Sequence, residues 1–253
     1  MKKIYILLVL VAFALPSYAE MTGREIYQKM DDVDTSRDSS MDMLMLIERG
    51  NMKLVRRIDS VSKKYGDDTR TLITFEEPAD VQGTMYLTWG YEDTEKDDDM
   101  WMFLPSENLT RRISGGGKKG SFMRSDFANE DIEKRAVDDD AHTLLKKEKF
   151  GGYDCYVLET VPMKKKETNY GKRRVWVHDS FFLPVKTEYF DKRGRLIKTA
   201  LYGGFKNISG IMTYTKTVMR TEGTDNKTYL ERTNVVYNTG VSDDVFQLSN
   251  LKR

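Results

Sequence analysis

Few residues in this chain suit acid–base or metal chemistry. It has two histidines, His142 and His178, and a single cysteine, Cys155. His178 follows Trp176 in an alternating stretch and precedes a turn, which is where an edge or turn histidine belongs. No HExxH, paired CxxC or GxSxG motif occurs. Gly115 to Ser121 (GGGKKGS) has the outline of a phosphate loop, but Ser121 stands where the lysine after the last glycine is required. Asp32, Asp34 and Ser36 have the spacing of the first calcium ligands of an EF-hand. Arg37 then occupies the glycine position and Met43 the glutamate position, so the loop is incomplete. These residues predict no catalytic group, no metal site and no cofactor. Asp and Glu are abundant, and a lipid hydrolase built from them stays open as a lesser reading, because function belongs to a site and not to a fold.

The apolar residues offer more. Met41, Met43 and Met45 alternate along one stretch, and methionine is deformable enough to fit variable partners. It is equally a filler of ordinary cores. Trp89, Trp101 and Trp176 either line a cavity or pack beneath a helix. The residues expected to contact a ligand, in an apolar cavity or its lid, are Met43, Met45, Trp89, Trp101, Phe103, Phe122 and Phe127. A fatty chain buried there would gain about 0.8 kcal/mol per CH₂ before ordering costs. The basic clusters Arg56-Arg57, Arg111-Arg112, Lys118-Lys119 and Lys164 to Lys166 read as solvated faces. The alternative is transient contact with anionic lipid headgroups.

Positioning those residues falls mainly to strands. Thr22 to Met30 predicts a helix with Thr22 and Glu25 as a capping box. From Ser39 the period becomes two, with Met41, Met43, Met45 and Ile47 on one face. Met52 to Ser62, Thr69 to Glu76 and Thr84 to Tyr91 continue as strands joined by short polar turns, the pattern of an antiparallel meander. Trp101 to Leu104 ends at Pro105, and Asn108 to Ser114 alternates again. Gly115 to Gly117 then free the backbone, and Asp126 is placed to cap a short helix starting near Ala128. That excursion is either a lid over a cavity or a plain surface loop. Further strands are expected over Tyr153–Val161, Arg173–His178, Val185–Phe190, Arg195–Tyr202, Met212–Thr221 and Lys227–Tyr237. Gly194 serves a tight hairpin turn, and Ser242 to Phe246 a capped helical turn. About ten strands with few helices predict a mainly β barrel, part-barrel or sandwich.

Lys2-Lys3, the apolar run Ile4 to Leu15 and Ser17-Tyr18-Ala19 predict a cleavable signal peptide over residues 1–19. Residues 20–253 then form one domain. No cysteine follows the cleavage site, so the chain is not itself expected to become a lipoprotein. Losing Lys2 and Lys3 takes the formal charge from +1 to −1, a balance that does not suit nucleic acid. With one cysteine, no intramolecular disulfide can form, and Cys155 reads as a small buried hydrophobe.

Trp101-Met102-Phe103-Leu104-Pro105, Arg111-Arg112-Ile113, Ser121-Phe122-Met123, Ser125-Asp126-Phe127 and Glu130-Asp131 together resemble the LolA/LolB-like, outer-membrane lipoprotein-sorting family of bacterial periplasmic proteins. Arg124 stands where that family usually has glycine. Val175 to Lys198 is similar to its strand–turn–strand hairpin, and Val245 to Leu251 to its terminal segment. The resemblance implies an unclosed antiparallel β-barrel with an N-terminal helix and short lid helices over an apolar cavity. It further implies a periplasmic carrier of lipoprotein acyl chains or other amphiphilic lipids for outer-membrane sorting. An inner-membrane exporter or outer-membrane acceptor would be its partner. A non-transporting sensor module that docks on an exporter or envelope signalling protein is the second reading.

Overall fold

The computed structural model describes residues 20–163 and 168–252. The expected signal peptide and the Lys164 to Lys166 turn lie outside them. The chain opens with α1 (Gly23–Asp31), whose capping box forms as the sequence requires: Thr22 Oγ1 accepts from the Glu25 N–H at 3.2 Å, and Glu25 Oε2 accepts from the Thr22 N–H at 2.7 Å. A first meander follows: β1 (Asp38–Arg49), β2 (Met52–Tyr65), β3 (Asp68–Glu77), β4 (Met85–Gly90), β5 (Asp99–Leu104) and β6 (Leu109–Ile113). After a linker come β7 (Asp140–Phe150), β8 (Tyr153–Pro162), β9 (Tyr170–His178), β10 (Pro184–Asp191) and β11 (Leu196–Gly203). The series ends with β12 (Lys206–Ile208), β13 (Ile211–Thr213), β14 (Lys216–Thr221) and β15 (Lys227–Tyr237).

Thirteen of these strands form one antiparallel sheet, in the order β6-β5-β4-β3-β2-β1-β15-β14-β11-β10-β9-β8-β7. The sheet is not closed, and its two edges, β6 and β7, are consecutive in the chain. The about ten strands expected from periodicity become fifteen among the described residues. One reason is the stretch Met212–Thr221, which is not a single strand. It breaks at Tyr214-Thr215, because Ile211–Thr213 folds back on Lys206–Ile208 as a separate hairpin. Gly194 takes φ 77° in the Asp191–Gly194 turn, as expected. Gly23 has a different task. A Cβ there would lie 2.6 Å from the His142 carbonyl oxygen, so only glycine lets α1 rest on β7.

Strict alternation sorts the first meander into two faces. Met45, Ile58, Phe75, Tyr86 and Met100 are buried on the inner face. Leu87, Trp89, Trp101 and Phe103 point to the outer face, where the C-terminal Phe246 and Leu251 cover them. Trp89 donates its indole N–H to the Phe246 carbonyl at 3.2 Å and meets Trp101 edge-on at 4.9 Å. The 3-10 turn Asp243–Phe246 is capped by Ser242, as its sequence predicts. Cys155 is buried with Val157, Trp176 and Val185, and burial pushes its thiol up to about 11. Phe246 is fully buried. Phe246→Ala is therefore expected to cost about 3–5 kcal/mol, read as a lower urea midpoint with an unchanged m-value.

Candidate functional site

The inner face of the sheet curls around a cavity of about 550 Å³. Its floor is apolar: Met41, Met43 and Met45 of β1 lie beside Ile58, Ile73 and Leu230. The same period brings hydroxyl groups in as well, from Ser60 and Ser62 of β2 and Thr69 and Thr71 of β3. Tyr189, Tyr202 and Tyr237 complete the polar side. Burial raises all three phenols, Tyr202 to about 12, so they face the cavity as neutral hydrogen-bonding groups.

The linker between the sheet edges, residues 114–139, lines one side of the cavity. It is built of short 3-10 turns, Gly115–Lys119, Phe122–Arg124, Asn129–Ile132 and Val137–Asp139. Phe122 enters the core against Phe75 and Tyr86, at ring distances of 5.7 and 4.9 Å. Phe127 and Ile132 also face the cavity. Met123 and Arg124 take left-handed φ of 47° and 62°. This accounts for a glycine preference at the position of Arg124.

The expected cap at Asp126 is not made. Its carboxylate accepts the hydroxyls of Thr221 and Thr228 at 2.5 and 2.7 Å, and its N–H donates to Thr228 Oγ1 at 3.0 Å. Asp131 takes the capping role instead, accepting from the Ala128 N–H at 2.7 Å. The far side of the linker is tied to β9 and β11. Glu130 accepts from Thr168 Oγ1 and the Asn169 N–H at 2.6 and 2.9 Å. Asp131 accepts from the Tyr170 hydroxyl at 2.8 Å and pairs with Lys198 at 3.3 Å.

Of the residues expected to contact a ligand, Met43, Met45, Phe122 and Phe127 line the cavity. Trp89, Trp101 and Phe103 do not: they lie on the outer face beneath the C-terminal segment. Alternation decides this, since Trp101 and Phe103 flank Met102, which packs on the inner cluster. Alternation also corrects the reading of Arg56-Arg57 as a solvated face. Arg57 is exposed and pairs with Glu77 at 2.8 Å. Arg56 is only 4 % exposed and donates to the Met123 carbonyl of the linker. Sequence reasoning missed it, although it shares the parity of Ile58 and Ser60. Lys118 is half-buried and pairs with Glu133 at 2.8 Å. Burial pushes Glu133 up to about 7 against the pull of Lys118.

The histidines serve packing. His142 stacks on Tyr27 at 3.9 Å, and its Nε2 lies 2.7 Å from the Val137 carbonyl. His178 stacks on Phe181 at 3.6 Å. Among the described residues no group of three His, Cys, Asp or Glu side chains could hold a metal ion.

An open antiparallel sheet rolled around a cavity, with the linker between its edges strapped across, defines a LolA-like protein. Solved structures agree. A DUF1329 family protein from Desulfovibrio piger is 42% identical, covering 90% of this chain and 97% of that one, with a TM-score of 0.88. A domain from Vibrio parahaemolyticus named for outer-membrane lipoprotein sorting is 32% identical over 91% and 98%, with a TM-score of 0.86. A LolA superfamily protein from Nitrosomonas europaea is 25% identical over 91% and 99%, with a TM-score of 0.73. A protein-family model described as "Uncharacterized protein" matches residues 67–253. None of the curated proteins matches. The chain belongs to the DUF1329 family and has the LolA-like fold.

Two outcomes follow from the linker's anchors. Asp126→Ala leaves two hydroxyls without a charged acceptor, a loss of about 1.5–3 kcal/mol. Limited proteolysis should then cut the linker near Gly115–Gly117 faster than in the parent. Glu133 links stability to pH. Its native pKa lies above the ordinary 4.5, so the folded state binds the extra proton, and stability rises as pH falls from about 7 toward 4.5. Glu133→Gln should flatten that slope in unfolding midpoints measured across the window.

Proposed function

We propose that the protein is a periplasmic carrier whose cavity holds the acyl portion of a lipid or lipoprotein on its way to the outer membrane. The observation that carries this reading is the cavity: methionine-floored, of a volume within the range of about 300–1,000 Å³ common for small-ligand sites, and walled on one side by Phe122 and Phe127 of the linker. Methionines on the floor allow chains of differing length and branching to be accommodated. The relative named for lipoprotein sorting and the LolA superfamily relative support the lipid class of cargo. In this reading residues 1–19 export the chain, residues 20–253 form one lipid-binding domain, and binding requires no catalytic group. Met43, Met45, Phe122 and Phe127 are the ligand contacts. Membrane-associated donors and acceptors are the partners.

The test is native mass spectrometry of the mature protein, purified from periplasm without detergent, followed by lipid extraction. A bound amphiphile is the expected result. Met43→Glu and Phe122→Glu each place a charge on the apolar wall and should reduce retention at least about tenfold. A protein that is empty as purified and ignores added lipid would sink the carrier.

A further inference from the structure

The lining of the cavity is not uniform, and its arrangement bears on the head group of the ligand. This inference rests on the acyl-binding function proposed above. At the linker end the lining is Phe122 and Phe127 over Met45, next to the Asp126–Thr228 anchor. Four residues further along β15, about 13 Å on an extended strand, Arg232 stands on the inner face opposite Met43. Its Nη1 donates to the Tyr214 carbonyl and its Nη2 to the Tyr214 hydroxyl, both at 3.2 Å. The guanidinium lies over the Tyr214 ring at 4.2 Å. Its Nε is buried and has no hydrogen-bond partner.

Among the described residues Arg232 has no carboxylate partner, whereas the carboxylates that face the cavity are engaged elsewhere. Asp31 pairs with Lys134 at 3.0 Å, Asp131 with Lys198 and Glu133 with Lys118. Asp38 accepts the N–H groups of Thr239 and Gly240, and Asp34 accepts the N–H and the hydroxyl of Ser36. A partly buried guanidinium held flat by an aromatic ring, with no counter-ion, is costly unless an anion joins it. Its planar fork fits a carboxylate or a phosphate.

We propose that Arg232 anchors the head of the ligand, and that the ligand is an amphiphile with an anionic head, carboxylate or phosphate, whose chain runs toward Phe122 and Phe127. The acyl groups on a lipoprotein's terminal cysteine are held by ester and amide bonds and carry no such head. The proposal therefore favours free acidic lipids as cargo.

The test uses the delipidated mature chain and three probes with the same chain: oleate, oleoyl-lysophosphatidylglycerol and oleyl alcohol. Oleate and the lysolipid should bind at least about tenfold more tightly than the alcohol. Arg232→Gln should bring both down to the alcohol's affinity and leave the alcohol unchanged. Arg232→Lys, which keeps the charge without the fork, should retain part of the preference; this variant carries the test if Arg232→Gln fails to fold by circular dichroism. Inorganic phosphate should neither bind alone nor displace the lysolipid. Binding of inorganic phosphate as tight as that of the lysolipid would make the site one for the free ion and overturn the amphiphile. Equal affinity for acid and alcohol, or equal weakening of both by Arg232→Gln, would overturn the anchor while leaving the acyl cavity standing. Failure of all three probes to bind would overturn the acyl cavity itself.

Discussion

β6 and β7 follow one another in the chain and lie at opposite edges of one sheet. The residues between them, 114–139, must therefore cross the gap that the sheet leaves open. The rest of the site depends on this constraint. The sheet can curl around a cavity without closing on itself because its own connection spans the opening. The exposed edges that an open sheet would present are limited at the same time: β6 is only five residues long, and α1 rests on β7 through the close approach at Gly23.

Strand-like pairing within the linker is limited to a bridge between Ser121 and Ala128. The linker's position is set by polar anchors on both sides of the sheet. Arg49 and Arg56 reach the carbonyls of Ser125 and Met123, and Thr221 and Thr228 hold Asp126. Thr168, Asn169, Tyr170 and Lys198 hold Glu130 and Asp131 from the other side. Such anchors are directional and can be exchanged for water, unlike the interdigitated apolar core. Phe122 and Phe127 join that core, so the linker is held by apolar packing as well as by its polar anchors.

Much of this was legible in the chain. Period-two alternation located most strands, and the Thr22 capping box, the Gly194 turn and the Ser242 cap carry local signals that tertiary context did not override. The cavity face of β1 was legible because Met41, Met43 and Met45 alternate. Residue type alone suggests the cavity for Trp89 and Trp101, but parity places them on the outer face. Trp101 and Phe103 occupy the odd positions of a strand whose even positions, Met100 and Met102, face inward. Asp126 was misread for a different reason. A carboxylate two residues before Ala128 has a local use as a cap, but its true partners, Thr221 and Thr228, are about a hundred residues away in sequence. Nothing in the local pattern announces such a pairing. The burial of Arg56 was hidden in the same way, since its acceptor is a backbone carbonyl on the linker.

The composition of the inner face argues for a particular kind of occupant. A cavity meant only for hydrocarbon has no need of hydroxyls, yet Ser60, Ser62, Thr69 and Thr71 share the wall with Met43 and Ile58. Each side chain on that wall is fixed by strand register, so polar and apolar groups cannot exchange places by repacking. Phe122 and Phe127 lie over Met45, and Tyr202, Tyr214 and Tyr237 lie near Arg232 and the β12–β13 hairpin. Hydrocarbon against the hydroxyl wall would leave the buried Thr69 hydroxyl without a partner, while a purely polar guest would waste the methionine floor. A guest with both characters, ordered along the strands, satisfies the two regions at once. The direction in which it lies is then set by the register of β1 and β15, the pair that joins the two meanders at the centre of the sheet.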